Sequence, residues 1–232
     1  EVPVNNLANI GQEVTVMFWS YGDPAEMPTT TYAFEAVDAQ NRRVLNVHLP
    51  WSDNVVYWDA GHNQTSSYDR INKSAGTASE GGWHHWAFVK NATTGSMQIY
   101  LDGTLWHSGA GKTKSMAGIT KFRIARGFNE GWMYYHGSMD EFAVFNKALD
   151  ATTIHDWKNR HLNNTHPNYS NLLVYYPFDE TSGSIAQDAS GNNNDGTMMG
   201  YPAHRTTKAA DSFLDLLASN TKPHVILEQN GV

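Results

Sequence analysis

An all-β chain, folded as two antiparallel sheets packed face to face, is the class this sequence predicts, and three observations predict it. Short runs rich in β-branched and aromatic residues recur about every ten to fifteen residues as far as residue 145. Turn-forming Gly, Pro, Asn and Asp separate them. Helical patterning is confined to two short segments beyond residue 149. With 232 residues, 12% of them aromatic and only 17% charged, the chain has the composition of a folded sandwich with an appendage.

The first run, VTVMFWSY (14–21), crowds apolar residues and is broken by Asp23-Pro24. TYAFEAV (31–37), RVLNVHL (43–49), NVVYWDA (54–60), HHWAFVKN (84–91), SMQIYLDG (96–103), TKFRIARG (120–127) and SMDEFAVFN (138–146) repeat the pattern. Asp102-Gly103, between MQIYL and TLWHS, predicts a tight type I′ hairpin, because Asp tolerates and Gly prefers positive φ. Asp150 ahead of ATTIHDWKNR predicts a capped helix with Ile154 and Trp157 on its buried face. RHLNNTHPNYSN (160–171) is polar, aperiodic and linker-like. A strand, LLVYYPF (172–178), and a Gly/Asn-rich loop follow, with a further short strand starting at DGTMMG (195–200). Thereafter TTKAADSFLDLLASN (206–220) suggests a short helix and KPHVILEQ (222–229) an edge strand. The expected division is residues 1–160 as the sandwich, 161–171 as linker, 172–200 as a strand-turn element and 201–232 as a tail.

A formal charge of −7 and the lack of any Lys/Arg run argue against a nucleic-acid partner. The chain has no cysteine, so neither a disulfide nor a thiolate site exists. No apolar stretch reaches 18 residues, which argues against membrane insertion, and EVPVNNLANI lacks the regions of a signal peptide. The expectation is a soluble chain from which any export signal has been removed.

Three stretches in order carry a family resemblance: GWHHWAFV (82–89), MQIYLDG (97–103) and GSMDEFAVFNKAL (137–149). Together they resemble the strand signatures of laminin-G-like domains in the concanavalin A-like lectin/glucanase superfamily, over about residues 1–160. The resemblance implies a two-sheet jelly-roll β-sandwich, in agreement with the independent strand count. It also implies that an element like LVYYPFDE followed by DASGNNNDGT opens such a domain, whereas here it comes late. Two readings stay open: residues 172–200 fold back to complete the sandwich beside Phe142, or they begin a second copy. A linker of about twelve residues spans roughly 35–40 Å when extended, so folding back is feasible.

Some relatives of this fold hydrolyse glucans through a Glu-x-Asp-x-x-Glu strand, and the sequence has no such run. Asp140-Glu141 and Asp179-Glu180 are adjacent, and on a strand they are expected to face opposite ways. The same alternation keeps His84 and His85 from sharing an ion, and His62, His107 and His136 are expected at the solvent or against sugar. Asp59 and the pair Asp69-Arg70 are expected to pin a loop. Asp188, Asn192, Asn193 and Asp195 supply the oxygens that Ca²⁺ favours, and relatives often hold a structural Ca²⁺; a plain αL-tolerant turn explains the same residues.

Sugar binding needs an apolar platform and nearby polar groups. Trp51, Trp106, Trp132, Tyr134 and Tyr135 are the candidate aromatics, with Asp53, Asn54, Asn129 and Glu130 as hydrogen-bonding neighbours. Trp19, Trp83 and Trp86 are expected in the core. The resulting expectation is a non-catalytic carbohydrate-binding or adhesion module of a larger secreted or cell-surface protein, extracellular or periplasmic, whose partner is a glycan or surface polysaccharide. The alternatives are a structural or protein-binding spacer, or an accessory domain of a glycan-processing enzyme.

Overall fold

The computed structural model describes residues 1–62, 67–128, 133–199, 203–205 and 224–226, the last two segments by their backbone. Fifteen strands and one α-helix lie along these residues in chain order. They are β1 (Glu13–Gly22), β2 (Phe34–Val37), β3 (Arg43–His48), β4 (Val55–Ala60), β5 (Asp69–Ser74), β6 (Trp83–Asn91), β7 (Ser96–Leu101) and β8 (Thr104–Gly109). Then come β9 (Lys121–Ile124), β10 (Gly137–Phe145), α1 (Ala151–Trp157), β11 (Leu172–Tyr176), β12 (Ile185–Ala186), β13 (Gly196–Thr197), β14 (Ala203–Arg205) and β15 (His224–Ile226). One sheet runs β14-β15-β10-β1-β6-β7-β8, with β11 also on β10; the other runs β5-β4-β3-β2-β9; β12 and β13 pair by themselves. The all-β jelly-roll sandwich predicted from the strand pattern is the architecture observed. The helix suggested for 206–220 lies outside the described residues.

Strand alternation sends one face of each sheet into a shared core of aromatic rings. Phe18 of β1 stands edge-on to Phe34 of the other sheet at 6.3 Å between centroids and stacks on Phe142 at 5.5 Å. Phe34 stacks on Phe122 at 5.8 Å, and Trp58 meets Phe88 at 5.8 Å, so β1, β2, β4, β6, β9 and β10 each deliver a ring to the interface while β3 supplies Val44, Leu45 and Val47. Each such pair adds about 0.5–1.5 kcal/mol beyond the area it buries. Trp86 is fully buried, as expected, but Trp83 is half-buried at a strand end beside Tyr21. Trp19 is buried on the opposite side of its sheet, where its Nε1 donates to the Lys158 carbonyl at 2.8 Å.

That outer side is covered by α1. Asp150 caps the helix by accepting from Thr153 N at 2.7 Å, and Ile154 and Trp157 pack with Met17, Ala87, Tyr100 and Phe145 in a second apolar cluster. The β7–β8 turn has φ +52° at Asp102 and +79° at Gly103. A side chain at position 103 would also run into His155 and Lys158, so the turn residue and the helix seat depend on one another.

β11 pairs antiparallel with β10, Val144 opposite Val174 and Phe142 opposite Tyr176. Val174, Tyr176 and Phe178 are buried in the main core with Phe142, and the Tyr176 hydroxyl donates to the Asn194 carbonyl at 2.6 Å. β10 also corrects an expectation. Its register on β1 slips around Phe18, and Glu141 takes φ +54°, the mark of a β-bulge. Met139 and Phe142 both reach the core, so the two acids between them are not split across the sheet. The Glu141 carboxylate accepts from the Tyr175 hydroxyl and lies 2.8 Å from His161 Nδ1. Burial first, then the charges of Glu141 and Asp140, hold the Tyr175 proton well above its ordinary range.

Because β11 contributes its rings to the one core, Tyr176→Ala should destabilise the whole chain by about 3 kcal/mol or more, seen in a single calorimetric transition. A main transition left at its wild-type temperature would mean that 172–199 folds apart from the rest.

Candidate functional site

The outward face of the five-stranded sheet carries the most unusual side chains of the molecule. In β2, β3, β4 and β9 the residues between core positions are Glu35, Asn46, Asp59 and Arg123, and the pairing Arg123↔Glu35↔Asn46↔Asp59↔Arg70 aligns them into one row across five strands. Glu35, Asn46 and Asp59 are buried. A second row beside it pairs His48 with Tyr57 and Tyr57 with Asn72.

Arg43 joins this face through a bulge. Ala36 pairs with Leu45 but Val37 pairs with Arg43, leaving Val44 as an extra residue that turns Arg43 towards the row. Its Nε donates to Glu35 at 3.1 Å, its Nη1 to Asp59 at 2.7 Å and its Nη2 to the Tyr32 hydroxyl at 3.3 Å. Arg70 grips the same carboxylate, Nε to Oδ1 at 2.5 Å and Nη2 to Oδ2 at 2.8 Å. The expected ion pair of Asp59 with Arg70 is therefore present, bidentate and shared with a second guanidinium. The neighbouring carboxylates hold the Arg43 proton above its ordinary range against the opposing effect of burial. Removing one partner from a buried pair of this kind leaves a charge uncompensated, which makes the row far more consequential than a surface salt bridge.

Aromatic rings close over the two guanidinia. Arg70 lies 4.6 Å from the Tyr57 ring and 5.1 Å from Tyr68, while Arg43 lies 5.3 Å from Tyr68 and 5.8 Å from Tyr32. The remaining oxygen of Glu35 accepts from Phe128 N at 2.7 Å. Arg43 thus reaches from β2 to β4 across Asn46 on the strand between them, and neither amide atom of the fully buried Asn46 has a hydrogen-bond partner. A buried amide left unpaired costs about 1–3 kcal/mol. With Arg43 lodged between Glu35 and Asp59, the gap that a two-carboxylate hydrolase fills with a glycosidic oxygen or a water is occupied by the protein itself.

The second row makes an aromatic step at the edge of the face. His48 sits 4.2 Å from Trp51, 4.6 Å from Tyr32 and 6.2 Å from Tyr57, and its Nδ1 is 2.6 Å from the Thr31 carbonyl. Burial pushes the His48 imidazole down to about 4, so near neutrality it is an uncharged donor through Nδ1. Trp51 and Tyr57 are half-buried on this base. Asp53 is exposed, accepting from Val55 N at 3.0 Å and from the Tyr57 hydroxyl at 2.7 Å. Platform, acceptor and guanidinia are consequently held in one rigid neighbourhood.

The other sequence candidates lie elsewhere. Asn54 adopts φ +58° and donates to the Gly76 carbonyl at 2.9 Å, a loop-shaping role. Trp106, on β8 of the other sheet, stands edge-on to Trp86 at 5.4 Å with Lys73 Nζ of β5 4.5 Å above its ring, a rim position. Tyr134 is half-buried under Arg126, 5.0 Å from its ring, whereas Tyr135 is fully buried and offers no surface to a sugar. Asn129, Glu130 and Trp132 lie outside the described residues. His62, expected at the solvent, is buried within 3.8 Å of Asp38; His85 is buried and His84 is 2.8 Å from Asp102.

The loop proposed for Ca²⁺ is organised by its own hydrogen bonds. Asp188 Oδ1 accepts from Tyr175 N and Ser190 N at 3.0 Å, and Oδ2 from Ser190 Oγ at 2.8 Å and Asn194 N at 2.9 Å. Asp195 Oδ1 accepts from Asp188 N at 2.8 Å, Asn192 Nδ2 donates to the Leu172 carbonyl at 2.8 Å, and Asn193 holds φ +56°. N–H and O–H donors converge on both oxygens of Asp188 where a cation would need bare oxygens, so this carboxylate is committed to the turn. Among the described residues no group of three or more His, Cys, Asp or Glu is arranged to hold a metal. Asp188→Ala is expected to cost about 2 kcal/mol through the lost turn, equally with Ca²⁺ or with EDTA; an EDTA-sensitive melting temperature in the wild type would reinstate the ion.

The family model described as the concanavalin A-like lectin/glucanases superfamily, Laminin_G_3, matches residues 1–155. Among solved structures, a protein of Bacteroides ovatus named as a "putative carbohydrate binding protein" is 17% identical with a TM-score of 0.56, covering 86% of this chain and 57% of that one. The chain thus spans little more than half the length of that protein. A Limulus polyphemus SAP-like pentraxin is 16% identical, with a TM-score of 0.48 and coverage of 62% and 69%; a botulinum neurotoxin DC binding domain, solved with rat synaptotagmin II, is 17% identical, with 0.49, 67% and 36%. No curated protein gives a significant match. Strand order, core and family model agree, and the chain belongs to the concanavalin A-like lectin/glucanases superfamily.

Proposed function

We propose that this chain is a non-catalytic carbohydrate-binding module of a larger secreted or cell-surface protein, and that it holds its glycan on the step formed by Trp51, Tyr57 and Asp53. The observation that carries the reading is the Trp51 ring, half-buried against His48 at 4.2 Å and next to an exposed carboxylate already oriented by Tyr57 and Val55. A pyranose presents a C–H face and a rim of hydroxyls, and it needs this pairing of apolar plate and fixed acceptor. Because the groups are ordered before the ligand arrives, little conformational entropy is lost on binding. The similarity in fold to a protein named for carbohydrate binding supports the same reading.

The module would serve adhesion to a glycan or surface polysaccharide, with catalysis left to other domains of the parent protein. Screening the wild type on a glycan array should find at least one binder, and Trp51→Ala should weaken it tenfold or more, about 1.4 kcal/mol, with the melting temperature little changed. An array on which nothing binds, or a Trp51→Ala variant of unaltered affinity, would remove the proposal and leave a spacer or protein-binding domain.

A further inference from the structure

Charge on the five-stranded face is layered. The acids Glu35 and Asp59 lie within the sheet, with side chains 1% and 0% exposed, while the cations above them reach solvent, Arg70 at 35%, Arg123 at 25% and Arg43 at 18%. Both oxygens of each buried acid are already taken, Glu35 by Arg43 and Phe128 N, Asp59 by Arg43 and Arg70. What the face offers to a ligand is guanidinium edges.

Arg70 is the best placed of these. Its Nε and Nη2 are fixed on Asp59, Nη2 also reaches the Tyr68 hydroxyl at 3.3 Å, and its plane is stacked on Tyr57 and Tyr68. Among the described residues Nη1 has no acceptor, and Arg70 is about one-third exposed, so the fork is held with one edge towards solvent. A guanidinium immobilised in this way and partly stripped of water by two rings is prepared to donate a charge-assisted hydrogen bond to an anion. The carboxylates of this neighbourhood already have partners, Asp59 on the two arginines and Asp53 on Tyr57 and Val55, so the anion must come on the ligand. Along β4, residues 57 and 59 are about 7 Å apart, so Arg70 opposite Asp59 and the Trp51–Tyr57 step fall within the span of one or two sugar rings.

We infer, resting on the carbohydrate-binding reading above, that the glycan is anionic and that Arg70 receives its carboxylate or sulfate while a neighbouring ring stacks on Trp51. The chain as a whole carries a net charge of −7, so an acidic polymer is repelled elsewhere and admitted at this face.

The test measures binding of the full chain to polygalacturonate, to the same polymer after carboxyl reduction, and to dextran sulfate against dextran. Carboxyl reduction or removal of sulfate should abolish binding, whichever of the two anions is preferred. Raising NaCl from about 50 to about 500 mM should weaken the wild type several-fold, a readout that needs no variant. Arg70→Gln should lose tenfold or more and Arg70→Lys an intermediate amount, since lysine keeps the charge without the fork; Lys147→Gln, in the bend after β10 of the other sheet, should change nothing. Equal affinity for charged and neutral polymers, salt-independent and unaffected at Arg70, would overturn the inference and leave Trp51-dependent sugar binding standing. Silence with every polymer and across the array would overturn both.

Discussion

One buried carboxylate organises the face on which the functional proposal rests. Asp59 is fully enclosed in the middle of a five-stranded sheet, and two guanidinia from different strands converge on it. Among the described residues Arg70 meets no other carboxylate, while Arg43 is also held by Glu35 and the Tyr32 hydroxyl, so it is the Arg70 orientation that depends most on that charge. Glu35, gripped by the far end of Arg43, extends the same network to β2 and through Phe128 N to the chain that follows β9. Sheet register and electrostatics are thus coupled: a slip of one residue in β3 or β4 would carry the charges into an aromatic core.

The two bulges show how this chain departs from simple alternation where chemistry is concentrated. The extra residue Val44 turns Arg43 onto the outer face, and the extra residue at Glu141 brings two acids to the side of Tyr175 and His161. The first builds the charged face of the five-stranded sheet. The second ties the chain after α1 to β10 and so helps seat β11 beside it. In both places a local break in the period re-aims a charged side chain while the apolar residues around it keep their places in the core.

Much of the fold was legible in the sequence because it rests on local signals. The runs containing Phe18, Phe34, Phe88 and Phe142, the Asp102-Gly103 turn and the Asp150 cap each state their conformation within a few residues. The candidate site was legible only in part. Trp51, Asp53 and the Asp59–Arg70 pair could be named from residue type and spacing, but Glu35, Arg43, His48, Tyr57 and Tyr68 become neighbours only through cross-strand register and a bulge. Polar residues between apolar ones in FEAV, LNVH and YWDA were the available signal, and it does not say which strands lie side by side. Tyr135 failed as a candidate for a related reason: a loop-like neighbourhood in sequence turned inward through its backbone bond to Ala125.

The most direct measurement of this account is made on Asp59→Asn, which keeps the shape of the side chain and removes its charge. Asp59→Asn is expected to lose about 3 kcal/mol in denaturant unfolding and, by NMR, to show the distinct Arg70 Nε–H resonance collapse into the rapidly exchanging pool of exposed arginines. A variant within about 0.5 kcal/mol of the wild type, with the Arg70 resonance undisturbed, would contradict it.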